Sequence, residues 1–207
     1  MDIFSRYKAV IENTDNPVVM EIGAAEGEDT VRYVQALIDL NRPYRYIAFE
    51  PDERNIWHLE RVRDKMAFEL CPMAVGHRDH GVIWWPSNHP YSGSVKEPKE
   101  HLSLYPGIKF GQPKTVPMTK LDSLAVGKVD WIWCDAQGSE DFIIEGGMET
   151  LARTRYFYTE YIECEAYEGQ IGRDEIHRRL PGNWVIAEDY RQWEKGGDCL
   201  FERLTSP

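Results

Sequence analysis

Carboxylates recur where apolar runs of this chain end, and those ends are where chemistry would concentrate. Val18-Val19-Met20-Glu21-Ile22 leads into Gly23-Ala24-Ala25-Glu26-Gly27, Tyr46-Ile47-Ala48-Phe49 leads into Glu50-Pro51, and Val129-Asp130-Trp131-Ile132-Trp133-Cys134 leads into Asp135-Ala136-Gln137-Gly138. A fourth run, Arg155 to Tyr161, carries Glu160 near its end. A carboxylate can accept hydrogen bonds from two ribose hydroxyls, or it can take the proton from a hydroxyl nucleophile as a general base. Glu50 suits the first role. Asp135 and Glu160 suit the second, with Gln137 between them orienting the acceptor hydroxyl; each could instead contact the cofactor or cap the next helix, a reading that is slightly stronger for Glu160.

A strand, a loop of small residues, a helix-sized interval and a second strand ending in an acid make a β-loop-α-β unit that holds a nucleoside. Glu21, Gly23, Ala24, Ala25 and Gly27 form its loop, Thr30 stands at the start of its helix, and Pro51 follows the ribose acid. Charge narrows the ligand. A dinucleotide needs glycine where Ala25 stands, and its pyrophosphate would be repelled by Glu26, Glu28 and Asp29. S-adenosylmethionine has no phosphate and carries a sulfonium cation, which an acidic loop tolerates.

The bulk properties agree. With 207 residues, 42% of them hydrophobic, the chain is long enough for one α/β domain and short for two, so residues 1–207 read as one domain. A formal net charge of −11 argues against nucleic acid as a partner. No apolar run reaches the ~20 residues that span a bilayer, and Met1-Asp2-Ile3-Phe4-Ser5 lacks the features of a signal peptide, so a soluble, cytoplasmic protein is expected. Cys71, Cys134, Cys164 and Cys199 are scattered without a C-x-x-C pair, and the six histidines lack ligand spacing. No metal site is therefore read from these residues.

The positioning elements follow from periodicity. Ile3, Phe4, Tyr7 and Ile11 predict a first amphipathic helix. Strand one is Val18 to Ile22, and Asp29 or Thr30 is expected to cap the next helix, which carries Val31, Val34, Leu37 and Ile38. Strand two spans Tyr44 to Phe49, a helix Arg54 to about Met66, and strand three Phe68 to Val75. Val82 to Trp85 reads as a short strand. Pro86 to Pro113 has no periodicity and is expected to be a lid or binding loop, or else disordered, with Tyr91-Ser92-Gly93-Ser94 its cofactor-facing point unless these residues only form a turn. Trp84, Trp85, Tyr91 and Tyr105 could stack on a sugar or pack as core, and His77, His89 and His101 could reach an acceptor, with solvation at the surface the stronger reading for these three. Strand four is Val129 to Asp135, followed by a helix that Gly146-Gly147 loosens. Strand five is Arg155 to Tyr161, and a helix over 174–180 stops at Pro181-Gly182. Trp184 to Ala187 and Cys199 to Phe201 are short strands joined by a Gly196-Gly197-Asp198 turn, and adjacent strands without an intervening helix pair antiparallel.

With these pieces in place the chain resembles the FkbM family of S-adenosylmethionine-dependent methyltransferases over nearly its whole length. The resemblance rests on Glu21-Ile22-Gly23-Ala24, Ile47-Ala48-Phe49-Glu50-Pro51-Asp52, Met73-Ala74-Val75-Gly76, Ser92-Gly93-Ser94, Val116-Pro117-Met118-Thr119-Lys120-Leu121-Asp122, Asp135-Ala136-Gln137-Gly138-Ser139-Glu140 and Tyr158-Thr159-Glu160-Tyr161. It departs at Ala25 and at Gln137, where many members carry glutamate. The resemblance implies a class I methyltransferase, Rossmann-like α/β fold: a mostly parallel seven-stranded sheet with a C-terminal antiparallel pair and helices on both faces. It adds Met73, Ala74 and Ser94 to the cofactor contacts, and it implies methylation of a hydroxyl on a sugar, glycan or related small molecule.

Asp135 with Glu160 would also make a hard-oxygen pair for Mg²⁺, so metal-assisted and metal-free routes both stand at this point. A nicotinamide oxidoreductase is opposed by the acidic loop. An amine methyltransferase acting on nucleic acid is opposed by the lack of an Asp/Asn-Pro-Pro-aromatic segment after strand four. A catalytically inactive binding protein on the same fold would share the cofactor loop, and the motifs fix neither the acceptor nor an oligomeric state.

Overall fold

The computed structural model describes residues 2–204. Its first half runs α1 (Ile3–Glu12), β1 (Val18–Ile22), α2 (Glu28–Asp39), β2 (Arg45–Phe49), α3 (Glu53–Arg63), β3 (Glu69–Cys71), β4 (Ala74–Val75) and β5 (Val82–Trp84). Then come α4 (His101–Leu104), β6 (Lys114–Val116), β7 (Met118–Thr119) and a 3₁₀ turn at Leu121–Ser123. The chain continues through β8 (Val129–Cys134), α5 (Glu140–Glu145), α6 (Met148–Leu151), β9 (Thr154–Ile162), α7 (Arg173–Arg179), β10 (Trp184–Trp193) and β11 (Gly196–Arg203).

Seven strands form one sheet in the order β10-β11-β9-β8-β1-β2-β3. The pairs from β3 across to β9 are parallel, and β11 runs antiparallel to both β9 and β10. This is the expected class I methyltransferase arrangement. Because β1 and β8 are neighbours with both faces covered, their sequences are nearly continuous apolar runs rather than alternating ones. On one face Tyr7 and Ile11 of α1, Tyr33 and Leu37 of α2 and Leu59 of α3 pack with Val19, Trp131 and Tyr158. On the other, Ile143 of α5, Leu151 of α6 and Ile176 of α7 pack with Met20, Ile132 and Phe157. Each such buried side chain contributes about 1.5–3 kcal/mol relative to its exposed form. That burial holds the carboxyl ends of β1, β2, β8 and β9 at one edge.

Several boundaries differ from the sequence reading. Strand three does not run through to Val75: the sheet strand stops at Cys71 because Pro72 has no N–H to donate, and Ala74–Val75 pairs instead with β7. Neither Asp29 nor Thr30 caps α2, which begins at Glu28 after Gly27 turns through φ +89° without a side-chain cap. Gly196-Gly197-Asp198 is strand rather than turn; β10 and β11 extend to Trp193 and from Gly196, leaving Glu194 and Lys195 to reverse the chain. The segment 86–113 is also built. It contains α4 and isolated bridges pairing Trp85 with Ser94, Ser87 with Phe110 and Pro98 with Tyr167.

Among the described residues no helix is long and apolar enough to cross a membrane. All four cysteines are free.

Candidate active site

The loops after β1, β2 and β8 are tied together by their own backbone. The N–H groups of Gly23 and Ala24 donate to the Phe49 carbonyl at 2.9 and 3.0 Å, and Asp135 N–H donates to the Ile22 carbonyl at 2.9 Å. Gly23, at φ +88°, lies so close to the Asp135 carbonyl that a Cβ there would overlap it. Glycine is required twice over at this position, for conformation and for space.

Between these loops lies a cavity of about 540 Å³, including its open mouth. Gly23, Ala25, Glu50, Pro51, Met73, Ala74, Asp135 and Gln137 line it, and so do Phe49, Val75, Trp84, Tyr91, Gly93, Ala136 and Ser139. Most of the sequence-derived site is thereby gathered at one place. Ala24 turns inward and is buried in the core, and Gly27 packs under Leu59 of α3. Glu21 and Thr30 lie outside the walls. Thr30 Oγ1 donates to Glu21 Oε2 at 2.5 Å, and Tyr46 Oη donates to the same oxygen at 2.9 Å. Burial pushes the Glu21 carboxyl up to about 8 against these two bonds. Glu21 and Thr30 thus brace the loop from behind rather than face the cavity.

Glu50 is 4% exposed and fixed at both oxygens, with Oε2 accepting from Ala25 N–H at 2.8 Å and Oε1 from Asp52 N–H at 2.7 Å. An ionised carboxylate offers about four lone-pair sites. The Asn55 side chain also supports the charged form of Glu50, and the lone pairs left over face the cavity as acceptors for hydroxyl donors such as those of a ribose. Burial lifts this carboxyl to about 7, so hydroxyl donors that favour its charged form would bind better as pH rises through that range. Opposite Glu50, Tyr91 Oη donates to Glu26 at 3.3 Å and Asn55 Nδ2 donates to the Pro90 carbonyl at 3.0 Å. The 86–113 segment is thereby anchored to the loop after β1 and to α3.

At the other end Asp135, Gln137 and Glu160 meet as expected. Gln137 Nε2 donates to Asp135 Oδ1 at 2.6 Å and to Glu160 Oε2 at 3.2 Å. Burial raises both carboxyls; Asp198 and Asp29 add to it at Asp135, while Asp135, Glu140 and Asp198 add to it at Glu160. Both carboxyls are thus held above the usual carboxylate range, and through their shared Gln137 donor they titrate as a pair. Glu160 is not part of the cavity wall; it reaches the site through Gln137. Ser94 is also off the wall, its Oγ donating to the Gln137 carbonyl at 2.7 Å.

Gln137 and Gly138 both have positive φ, at 50° and 87°, and this tight turn directs the Gln137 amide back onto the carboxylates. Of the loop histidines, His101 is buried against Tyr105, Phe110 and Tyr167 rather than presented to an acceptor. Trp84 and Tyr91 line the cavity; Trp85 and Tyr105 do not.

Three residues escaped sequence reasoning. Tyr167 donates toward Gln137, Asn55 holds the segment above, and Lys96 is buried in an ion pair with Asp141 at 2.8 Å. A lysine in a segment read as a lid or binding loop gave no sign of burial, and Tyr167 sits in an irregular stretch without periodicity. Asn55 had a weak signal, five residues after the ribose acid on the first turn of α3.

Among the described residues no group of three or more His, Cys, Asp or Glu is placed to hold a metal ion. Asp135 and Glu160 do not fit one as they stand, because the space between them is taken by the Gln137 N–H₂ group, a donor rather than a ligand.

Comparison with known proteins places the chain in a family. Over 97% of its length the chain is 35% identical to the 2-O-methyltransferase NoeI of Sinorhizobium fredii, 85% of which is covered. A crystal structure of methyltransferase FkbM from Methylobacillus flagellatus superposes with a TM-score of 0.57 at 13% identity over 91% of this chain; the match spans only 44% of that longer protein. A methyltransferase-fold protein from Streptococcus mutans, solved in complex with S-adenosylhomocysteine, matches with a TM-score of 0.50 at 8% identity over 99% of both chains. Residues 21–195 match the family described as the methyltransferase FkbM domain, a span that contains the Gly23 loop, Glu50, Asp135 and Glu160 together. The chain belongs to the FkbM family of S-adenosylmethionine-dependent methyltransferases.

Proposed function

We propose that this protein methylates a hydroxyl group of a sugar, glycan or related small molecule, with Asp135 as the base and without a metal ion. The observation that carries the reading is the Asp135 carboxyl on the cavity wall, bridged to the Glu160 carboxyl through the Gln137 amide. Similarity to a 2-O-methyltransferase supports a hydroxyl as the acceptor. S-adenosylmethionine, when bound, supplies an electrophilic methyl on a sulfonium whose departure leaves a neutral thioether. Glu50 and the loop after β1 hold the adenosyl part, so the remaining task is to align the acceptor oxygen and remove its proton. As the C–O bond forms, the O–H proton passes to Asp135, and the acidic surroundings favour its positive charge. We assign Gln137 to orientation, because its amide spans the two carboxylates. The whole chain acts as one domain in this scheme, with the 86–113 segment as a lid over the cavity.

The experiment is a screen of hydroxylated saccharides and small molecules with methyl-labelled S-adenosylmethionine, with and without a chelator. Label should enter an alkali-stable methyl ether, and the rate should not change on chelation. Activity lost with chelator and restored by Mg²⁺ would overturn the metal-free route. Binding of the cofactor with no turnover on any acceptor would favour an inactive binding protein.

A further inference from the structure

The Tyr167 phenol is a buried polar group to which the reaction as described gives no task. Tyr167 is fully buried, and its hydroxyl lies 3.1 Å from Gln137 Oε1 and 3.0 Å from the Ser92 carbonyl oxygen. A phenol carries one proton, so it serves one of these two acceptors at a time. With Asp135 ionised, one orientation of the Gln137 amide is favoured. Turned over, it would place its oxygen where Nε2 now stands, 2.6 Å from Asp135 Oδ1, and an ionised carboxylate has no proton to offer.

The surroundings are built to keep the phenol in place. Gly138 makes room for the ring, since a Cβ there would stand 2.9 Å from Tyr167 Cδ2. From the 86–113 segment, His101 and Phe110 pack on the same ring with centroids at 5.1 and 6.2 Å. That segment touches the turn directly as well, through the bond from Ser94 Oγ to the Gln137 carbonyl.

We propose that Tyr167 is a positioning residue: its hydroxyl holds the Gln137 amide nitrogen against Asp135 and Glu160, and by sharing that hydroxyl with Ser92 it ties this alignment to the seating of the 86–113 segment. Its effect on rate rests on the methyl-transfer reading above; the alignment itself does not. The charged groups that bear on the pair are Asp198 from β11, Asp29 from α2 and Glu140 from α5, all acidic, with Lys96 acting on Glu140. Among these acids the Gln137 N–H₂ group donates to both carboxyls, and the Gln137 backbone N–H supports Asp135 as well, so losing the alignment of the amide weakens what opposes burial and repulsion.

The test is Tyr167→Phe in the full chain, which keeps the ring and removes only the hydroxyl. Two readouts are compared with wild type: the pH profile of kcat, and the titration of Asp135 and Glu160 followed by carbon NMR without acceptor. We expect kcat to fall about tenfold, KM for S-adenosylmethionine to stay within about twofold, and both the acid limb and the carboxyl titration to move upward by about 0.5–1 pH unit. The same change made in a Gln137→Leu background should add no further loss, because the two residues act as one unit. An unmoved carboxyl titration, or a fully additive double variant, would overturn the proposal. A wild type that methylates no hydroxyl would refute the functional reading instead, and the NMR titration would still decide the role of Tyr167.

Discussion

Asp135→Asn should lower kcat by about 10²–10⁴ while leaving S-adenosylhomocysteine affinity nearly unchanged. The amide keeps the shape of the side chain and can still pack at the cavity wall, but it cannot take a proton. Asp135 is also the group expected to set the acid limb of the wild-type profile. Its carboxyl is raised by burial, and the reaction needs it ionised, so activity should rise with pH through its titration and that limb should disappear in the variant. Steady-state kinetics over a pH series, with calorimetry for the cofactor product, separates the two effects. A variant with near-normal turnover would move the base elsewhere, with Glu160 the first alternative.

The second large effect is structural. Gly23→Ala should destabilise the fold by about 3–5 kcal/mol and abolish cofactor binding. Part of the cost is conformational, since φ +88° is strained for any residue with a Cβ. The larger part is steric: the Cβ would be driven into the Asp135 backbone carbonyl, which is fixed in the sheet through the Asp135 N–H bond to Ile22. Backbone cannot swing aside as a flexible side chain can. The loop after β1 and the end of β8 would have to separate, and with them the walls that carry Ala25 and Asp135. Denaturant unfolding of the two proteins measures the cost directly. A loss below about 1 kcal/mol would show that these loops are not packed as described.

The site was legible wherever a residue sat at the end of a buried strand. Gly23, Glu50 and Asp135 each follow an apolar run that only a central parallel strand explains, so topology placed them at one edge without any side-chain detail. Strand ends and turns in short segments were less legible. Ala74–Val75 and Met118–Thr119 pair over two residues each, too few for a periodic signal, and Pro72 rather than a polar residue ended strand three. Gly196-Gly197 resembles a turn in sequence, yet a Cβ at Gly197 would press on the backbone of Tyr190 and Arg191. These glycines admit a close cross-strand approach beside an irregularity in the β10–β11 pairing. Thr30 read as a cofactor contact because it opens a helix beside the loop. It faces inward because a buried Glu21 needs donors. Tyr167 was invisible for a different reason, since its partners Ser92, His101 and Gln137 are brought together only by the folded 86–113 segment.

We propose that the cavity bounded by Gly23, Glu50 and Asp135 holds the adenosyl cofactor with its sulfur end toward Asp135. A crystal structure of the protein with S-adenosylhomocysteine tests it most directly. Both ribose hydroxyls should lie within hydrogen-bond distance of the Glu50 carboxylate, and the sulfur should face the cavity wall formed by Asp135 and Gln137. Electron density for the nucleoside away from Glu50, or a sulfur directed away from Asp135, would overturn this placement.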